Sequence, residues 1–358
     1  MGLDTWAAVG RRAVQGLGVQ PRGLVAVRDQ AGRYDVLQAM LLAVEAAGAT
    51  PMVEVLAPDH VASLLTDVGT EYLAAWDRRR SEWAERVDRV LVLSAMGLSE
   101  MAPAAPGWIA WSDAIHRLFA IEERRSLPFL LVGVPTAALA ARLGMELPAL
   151  ESAVLPALQS TADELRAEID RVLRLLAGHQ HLTVLSGGGH ELHMELGDRR
   201  WLTDDGVVDS GDLAVGSIVS NLPAGSVYTT VLEDRTWGSI VLPRAGQARD
   251  VILRFVGGSV DAVQAAEGGD SLVALLDRHG SGARRVSHLG IGLNPRLRGR
   301  APLGWTLVDE HMHGALFVAL GENRYMRGQN ASTLNVDYVV PEATLLADGV
   351  VIAEALSD

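Results

Sequence analysis

The chain has 358 residues, a formal charge of −13, half its residues hydrophobic and a fifth charged, which is the balance of a folded globular protein with room for two domains. The negative charge excludes a polyanion-binding surface, because neutralising phosphates needs clustered cations and RRR at 78–80 is too short a run to supply them. Neither Cys nor Lys occurs, so disulfides, thiolate nucleophiles, Cys-ligated metals, Schiff-base lysines and Walker-type phosphate lysines are excluded as well. No run approaches the roughly 18 apolar residues of a membrane span, MGLDTWAAVGRR has no apolar signal core, and a cytoplasmic protein is expected.

GLVAVRD (23–29) reads as a strand, and YDVLQAMLLAVEAAGA (34–49) as a helix with apolar positions recurring at three and four, ended by Gly48. PMVEVLA, RVLVLSA (89–95) and PFLLVGVP (128–135) are continuous apolar runs suited to strands buried on both faces of a parallel sheet. The turn RDQAGRYD lacks G-x-G-x-x-G spacing, so the backbone cradle for a pyrophosphate is missing. Residues 59–88 read as polar helix, with Trp76 and Trp83 on a packing face. One long amphipathic helix is expected from about Leu150 to Ala177, with Pro156 near its start and Gly178 after its end. Beyond it the runs are short, strand-like and glycine-rich: LTVLSG, HELHMELG, SIVSNLPAGSVYTTVLEDRTWGSIVLP and DVILRFVGG, then a helix over 271–280. The expected architecture is an α/β N-terminal domain with a parallel sheet over 1–180, including the connecting helix, and an α+β strand-rich C-terminal domain over 181–358 that carries the site.

Possible ligands concentrate between Ser287 and Asp337. His288 in VSHLGIGL and Asp337 in LNVDYVV are ionisable groups inside apolar strands, where burial penalises both unless they are paired or bind a cation. His311 and His313 are two apart, which on a strand gives both rings one face beside Asp309 and Glu310, an arrangement suited to metal ligation. The competing reading is a polar loop leading into the strand ALFVALG. His190 and His193 in GGGHELHMEL are three apart and point to opposite faces of a strand unless the segment bends.

These segments resemble, in order, the blocks of the thermophilic metallo-aminopeptidases of the aminopeptidase T and S type. AVEAAGATPMVEV and VPTAALAARLGM are similar to their first domain; NLPAGSVYTTVLEDRTWGSIV, LGIGLNP, DEHMHGALFVALG and GQNASTLNVDYV are similar to their second. The resemblance implies an aminopeptidase T-like fold, a homodimer, and a pair of divalent ions on six ligands. This chain has Ser226 at the first ligand position, His288 at the second, Glu310 retained at the third, Phe317 at the fourth, and Asn335 and Asp337 as the closing pair. Two metal ions cannot be held by that set. The chain also resembles the related 2,5-dihydroxypyridine 5,6-dioxygenase, which uses one iron(II) on two His and one carboxylate. His288 and Asp337 match two of its ligands, and Asn335 departs at the third.

The expected function is a diverged small-molecule enzyme with one divalent ion, Fe(II), Mn or Zn, on His288, Glu310 and Asp337, running ring-opening dioxygenase-like or hydrolytic chemistry. Glu310, His311, His313, His190, His193 and Tyr325 are its acid/base candidates, and Ser226, Tyr228, Arg324, Asn335 and Phe317 its substrate contacts. The alternatives are a metal-free enzyme or ligand-binding protein, and a retained metallo-aminopeptidase. Neither nucleic acid nor membrane is an expected partner.

Overall fold

The computed structural model describes residues 3–68, 70–95 and 108–353. By contacts the chain forms two compact units, residues 1–161 with 206–223, and residues 162–205 with 224–358. The boundary expected near residue 180 thus lies inside the second unit, and a return segment adds a strand to the first.

The first unit is built on a five-stranded parallel sheet in the order β2 (Thr50–Val55), β1 (Leu24–Asp29), β3 (Arg89–Ser94), β4 (Phe129–Gly133) and β8 (Val219–Leu222). Val25, Val27, Val90, Leu91, Leu130 and Val132 are fully buried, which is why the central runs are apolar without alternation. The edge strand β2 leaves Val53 and Val55 exposed. Its helices are α1 (Leu3–Gly16), α2 (Tyr34–Ala46), α3 (Pro58–Asp67), α4 (Thr70–Ala84), α5 (Trp108–Arg124), α6 (Ala137–Arg142), α7 (Leu147–Leu158) and the short α9 (Ser210–Val215). A buried ion network joins sheet to helices: Arg28 pairs with Glu122, whose side chain is 0% exposed, and with Glu54 at 3.2 Å, and Arg80 also binds Glu54.

The single helix expected over 150–177 is two, α7 and α8 (Ala162–Leu176). The ladder breaks where the buried Ser160 carbonyl accepts Arg12 Nε at 2.9 Å, which draws that carbonyl out of helical pairing. On α8, Leu165, Ile169, Val172 and Leu176 are buried at helical spacing, so the amphipathic pattern belongs to this second helix alone.

The second unit holds two sheets. One has seven strands in the order β12 (Ser259–Gln264), β11 (Ala248–Val256), β10 (Trp237–Ala245), β6 (His190–Glu195), β5 (His181–Ser186), β16 (Thr344–Ala347) and β17 (Val350–Ala353). The other is antiparallel throughout, in the order β15 (Asn335–Val340), β14 (Leu316–Gly321), β13 (Val286–Gly292), β9 (Ser226–Thr230) and β7 (Leu202–Asp204). The helices α10 (Gly269–Arg278) and α11 (Thr306–Asp309) complete the unit. Among the described residues no helix is long and apolar enough to cross a membrane.

Candidate functional site on the five-stranded sheet

Directly opposed residues in adjacent strands share a face, and the register of the second unit's five-stranded antiparallel sheet therefore assembles one. Asp337 lies opposite Ala319 and His288 opposite Thr230; Phe317, Gly290, Tyr228 and Leu202 form a row; Gly292, Ser226 and Asp204 form the next. Five strands thus bring Asp337, His288, Tyr228, Phe317, Ser226 and Asp204 to one face.

At His288 the pairing of β13 with β14 slips, between Val286 and Leu289, and a bulge of this kind re-aims side chains at a site. The groups released by the slip are taken up locally: Asn323 Nδ2 donates to the Ser287 carbonyl at 3.0 Å, and Ser287 Oγ donates to the Glu322 carbonyl at 3.0 Å. With its proton committed there, Ser287 Oγ is an acceptor for His288 Nδ1 at 3.0 Å. That assignment from the network makes Nδ1 the protonated nitrogen and leaves Nε2 an acceptor 2.7 Å from Asp337 Oδ1, off the axis of a direct hydrogen bond. Oδ1 is buried and has no aligned hydrogen bond among the described residues. Two acceptors face each other at contact distance, so the pair calls for a proton or a cation between them.

Around the pair, the Phe317 ring meets the His288 ring edge-on, with centroids 5.9 Å apart, and Tyr228 lies at 6.1 Å. Phe317 also explains Gly290, where a Cβ would fall 1.9 Å from the ring's Cζ. Asn335 Nδ2 donates to Tyr325 Oη at 2.8 Å. Burial, and then the Asp337 charge, raise the Tyr325 phenol well above its ordinary value, so it remains a proton donor.

The loop from Leu303 to Gly314 carries the third carboxylate. Asp309 is its anchor, accepting backbone N–H groups from Leu303 at 2.9 Å, Gly304 at 2.7 Å and Trp305 at 3.0 Å, while burial pushes its carboxyl up to about 6. Glu310 follows directly. Burial and the charges of Asp337 and Asp204 raise its carboxyl, and His311 opposes them. His311, with a side chain 1% exposed, has Glu310 Oε1 at 3.4 Å and Asp204 Oδ2 at 3.9 Å from Nε2, and neither ring nitrogen has an aligned hydrogen bond. Burial disfavours its imidazolium, but Glu310 and Asp204 outweigh burial and the net shift is upward.

Several expected residues lie elsewhere. Residues 311–313 form turns with one isolated bridge rather than a strand, so the two rings diverge. His313 Nε2 meets Glu168 Oε1 and Arg298 Nη2, each at 2.6 Å. His190 and His193 belong to the seven-stranded sheet; His190 bonds Ser239 at 2.8 Å, and His193 stacks on Trp237 at 3.9 Å and bonds Thr183 at 3.1 Å. Arg324 is held by Glu322 at 2.8 Å in an exposed pair. Asp204, which the sequence did not single out, enters the cluster from a three-residue strand.

Among the described residues no group of three or more His, Asp or Glu side chains is arranged to enclose an ion. In donor chemistry, however, one imidazole with two carboxylates suits a single divalent cation, and the orphaned Oδ1 opposite an acceptor nitrogen fits one. Ser226 and Phe317 offer nothing comparable for a second ion.

The family described as thermophilic metalloprotease (M29) matches residues 3–351. Wild-type AmpT from Thermus thermophilus superposes with a TM-score of 0.70 at 19% identity, covering 96% of this chain and 94% of that one. The 2,5-dihydroxypyridine dioxygenase from Pseudomonas putida KT2440 superposes with a TM-score of 0.63 at 16% identity, covering 100% and 99%. At these identities the two structures share the fold with this chain. No curated protein sequence matches significantly.

Proposed function

The chain belongs to the M29 family of thermophilic metalloproteases, and on that scaffold we propose a diverged enzyme of small molecules that uses one divalent ion on His288, Asp337 and Glu310. The observation that carries this reading is the acceptor nitrogen of His288 facing the unpartnered Asp337 Oδ1 at 2.7 Å, with the Ser287 to Glu322 relay behind it. When bound, the ion would polarise a substrate oxygen and activate water or O2.

The chain's own residues do the rest. Tyr228 and Phe317 shield the His288 ring and keep water from its flanks. Tyr325, kept protonated and fixed through Asn335, donates a hydrogen bond to a substrate oxygen. Burial raises the Glu310 carboxyl and Glu310 and Asp204 raise the His311 imidazole, so His311 is the group beside the ion that takes up and returns a proton while Glu310 serves as a ligand. His190, His193, His313 and Arg324 are engaged by Ser239, Thr183 and Trp237, Glu168, and Glu322 respectively and take no part in this scheme.

Purified protein equilibrated anaerobically with Fe(II), Mn or Zn should retain about one ion per chain, and Asp337→Ala should retain almost none, since loss of a charged ligand removes most of the affinity. Retention unchanged by that substitution would sink the proposal. A second reading, metal-free acid/base catalysis by Glu310 and His311, draws on the absence of three converging donors among the described residues; wild-type protein that binds no ion yet turns over substrate would favour it. Retained aminopeptidase activity is disfavoured by Ser226 and Phe317, and metal-dependent hydrolysis of leucyl anilides would reinstate it.

A further inference from the structure

Val286 pairs with Leu320 and Leu289 with Val318, so Ser287 and His288 together face a single position of β14 and neither has a registered partner there. A side chain supplies what the strand does not. Asn323 is 0% exposed, and one hydrogen of its Nδ2 goes to the Ser287 carbonyl at 3.0 Å. That carbonyl belongs to the planar peptide group that leads into His288, so holding its oxygen constrains the direction in which the His288 side chain leaves the strand. Pairing of His288 with Thr230 on β9 holds the other side.

The Asn323 amide is itself fixed from three sides. Its second Nδ2 hydrogen goes to Glu233 Oε1 at 2.8 Å, and its Oδ1 accepts the Asn330 N–H at 2.8 Å. Two acceptors on the nitrogen side and a donor on the oxygen side permit one orientation only. Space points the same way: a Cβ at Gly328 would fall 2.1 Å from Asn323 Cγ, so the amide rests against a backbone that no larger residue could supply. Glu233 is buried in turn and accepts the Gln329 N–H at 2.8 Å and Arg199 Nη2 at 3.2 Å. Burial pushes its carboxyl up, but the Gln329 and Asn323 donors and the Arg199 charge outweigh burial, and Glu233 stays an anion. Asn323 also shapes the turn that follows it. Its own carbonyl accepts the Met326 N–H at 3.0 Å and the Gly328 N–H at 2.9 Å, closing the turn on which Tyr325 stands.

We propose that Asn323 is a positioning residue for the site, with Glu233 as its anchor: the Asn323 amide sets the aim of His288, and its carbonyl the place of Tyr325. Asn323 acts through these two residues, as the outer partners of a metal ligand orient it without touching the ion. The proposal rests on the reading of His288 as a ligand of one divalent ion.

The test separates aim from stability in the full chain. Asn323→Asp keeps the acceptor for Asn330 but removes both donors and sets a second carboxylate against Glu233. Adding Glu233→Gln returns a donor to that contact and none to the Ser287 carbonyl. The melting temperature should therefore fall in Asn323→Asp and largely recover in the double variant, whereas Zn affinity, read by competition with a chromophoric chelator, should fall about tenfold in both. Should Asn323→Asp alone not fold, the double variant carries the comparison. Zn affinity unchanged in these variants, or recovering together with the melting temperature, would overturn the proposal by making the network a support of the fold alone. A double variant that does not fold would overturn it for the same reason. Wild type that binds no ion would reject the single-ion reading, and the proposal is then decided on the His288 ring itself. Nitrogen NMR of histidine-labelled protein at one pH, with the signal assigned by its loss in His288→Gln, should show the Nδ1–H tautomer in wild type and its loss or mixing in the double variant. A ring signal identical in the two would overturn the proposal independently of any ion.

Discussion

Buried charge is treated in opposite ways in the two units. In the first, Arg28 and Arg80 face Glu54 and Glu122, charges cancel, and every carboxylate oxygen accepts a hydrogen bond. In the second, Glu310 and Asp337 lie beside two imidazoles, His311 and His288, and among the described residues Asp337 Oδ1 and both His311 nitrogens lack aligned partners. A network closed on itself ties a core together, and one left open needs a ligand or a proton to complete it.

That contrast fixes what substitutions should do. Glu122→Ala should be the most damaging, destabilising the protein by about 3–5 kcal/mol in urea unfolding, because it strands a buried guanidinium. Asp309→Ala releases three backbone donors of the loop that carries Glu310 and should cost about 2–3 kcal/mol. Its pH dependence has a definite sign. The folded-state value near 6 lies above the ordinary 3.8, so the native state holds this proton more tightly than the unfolded chain. The stability due to Asp309 is therefore fully present below about pH 4 and shrinks as pH rises toward 6, and the gap between wild type and Asp309→Ala should narrow across that window.

Gly290→Ala should cost about 1–3 kcal/mol by driving a methyl group into the Phe317 ring. Combined with Phe317→Ala it should cost less than the sum of the two, and additive losses would show that the ring is not seated on this glycine. Ser287→Ala loosens the His288 tautomer and should weaken metal affinity about tenfold with little change in melting temperature. Smallest in stability is Asp337→Asn, expected within about 1 kcal/mol of wild type or slightly stabilising, since it removes a like charge beside Glu310. A large destabilisation there would place the pair in the structural class with Glu122.

Much of this was legible in the sequence where the physics is local. Continuous apolar runs announced the parallel sheet, and His288 and Asp337 stood out because a titratable group in an apolar strand needs a partner. What was not legible depends on pairing at long range. Asp204 reaches the cluster only through the register of β7 with β9, and a three-residue strand has too little alternation to reveal its face. His311 and His313 looked like a strand pair because spacing of two carries no sign of the turn that separates them. The two-helix break after α7 rests on Arg12, 148 residues away, which donates to the Ser160 carbonyl.

His288 and Asp337 are proposed to hold one cation. The most direct measurement is metal content per chain after anaerobic loading and desalting, in wild type and in His288→Ala and Asp337→Ala. About one ion per chain in wild type and almost none in either variant is the predicted result. No ion in wild type with any of the three metals, or two ions per chain, would contradict it.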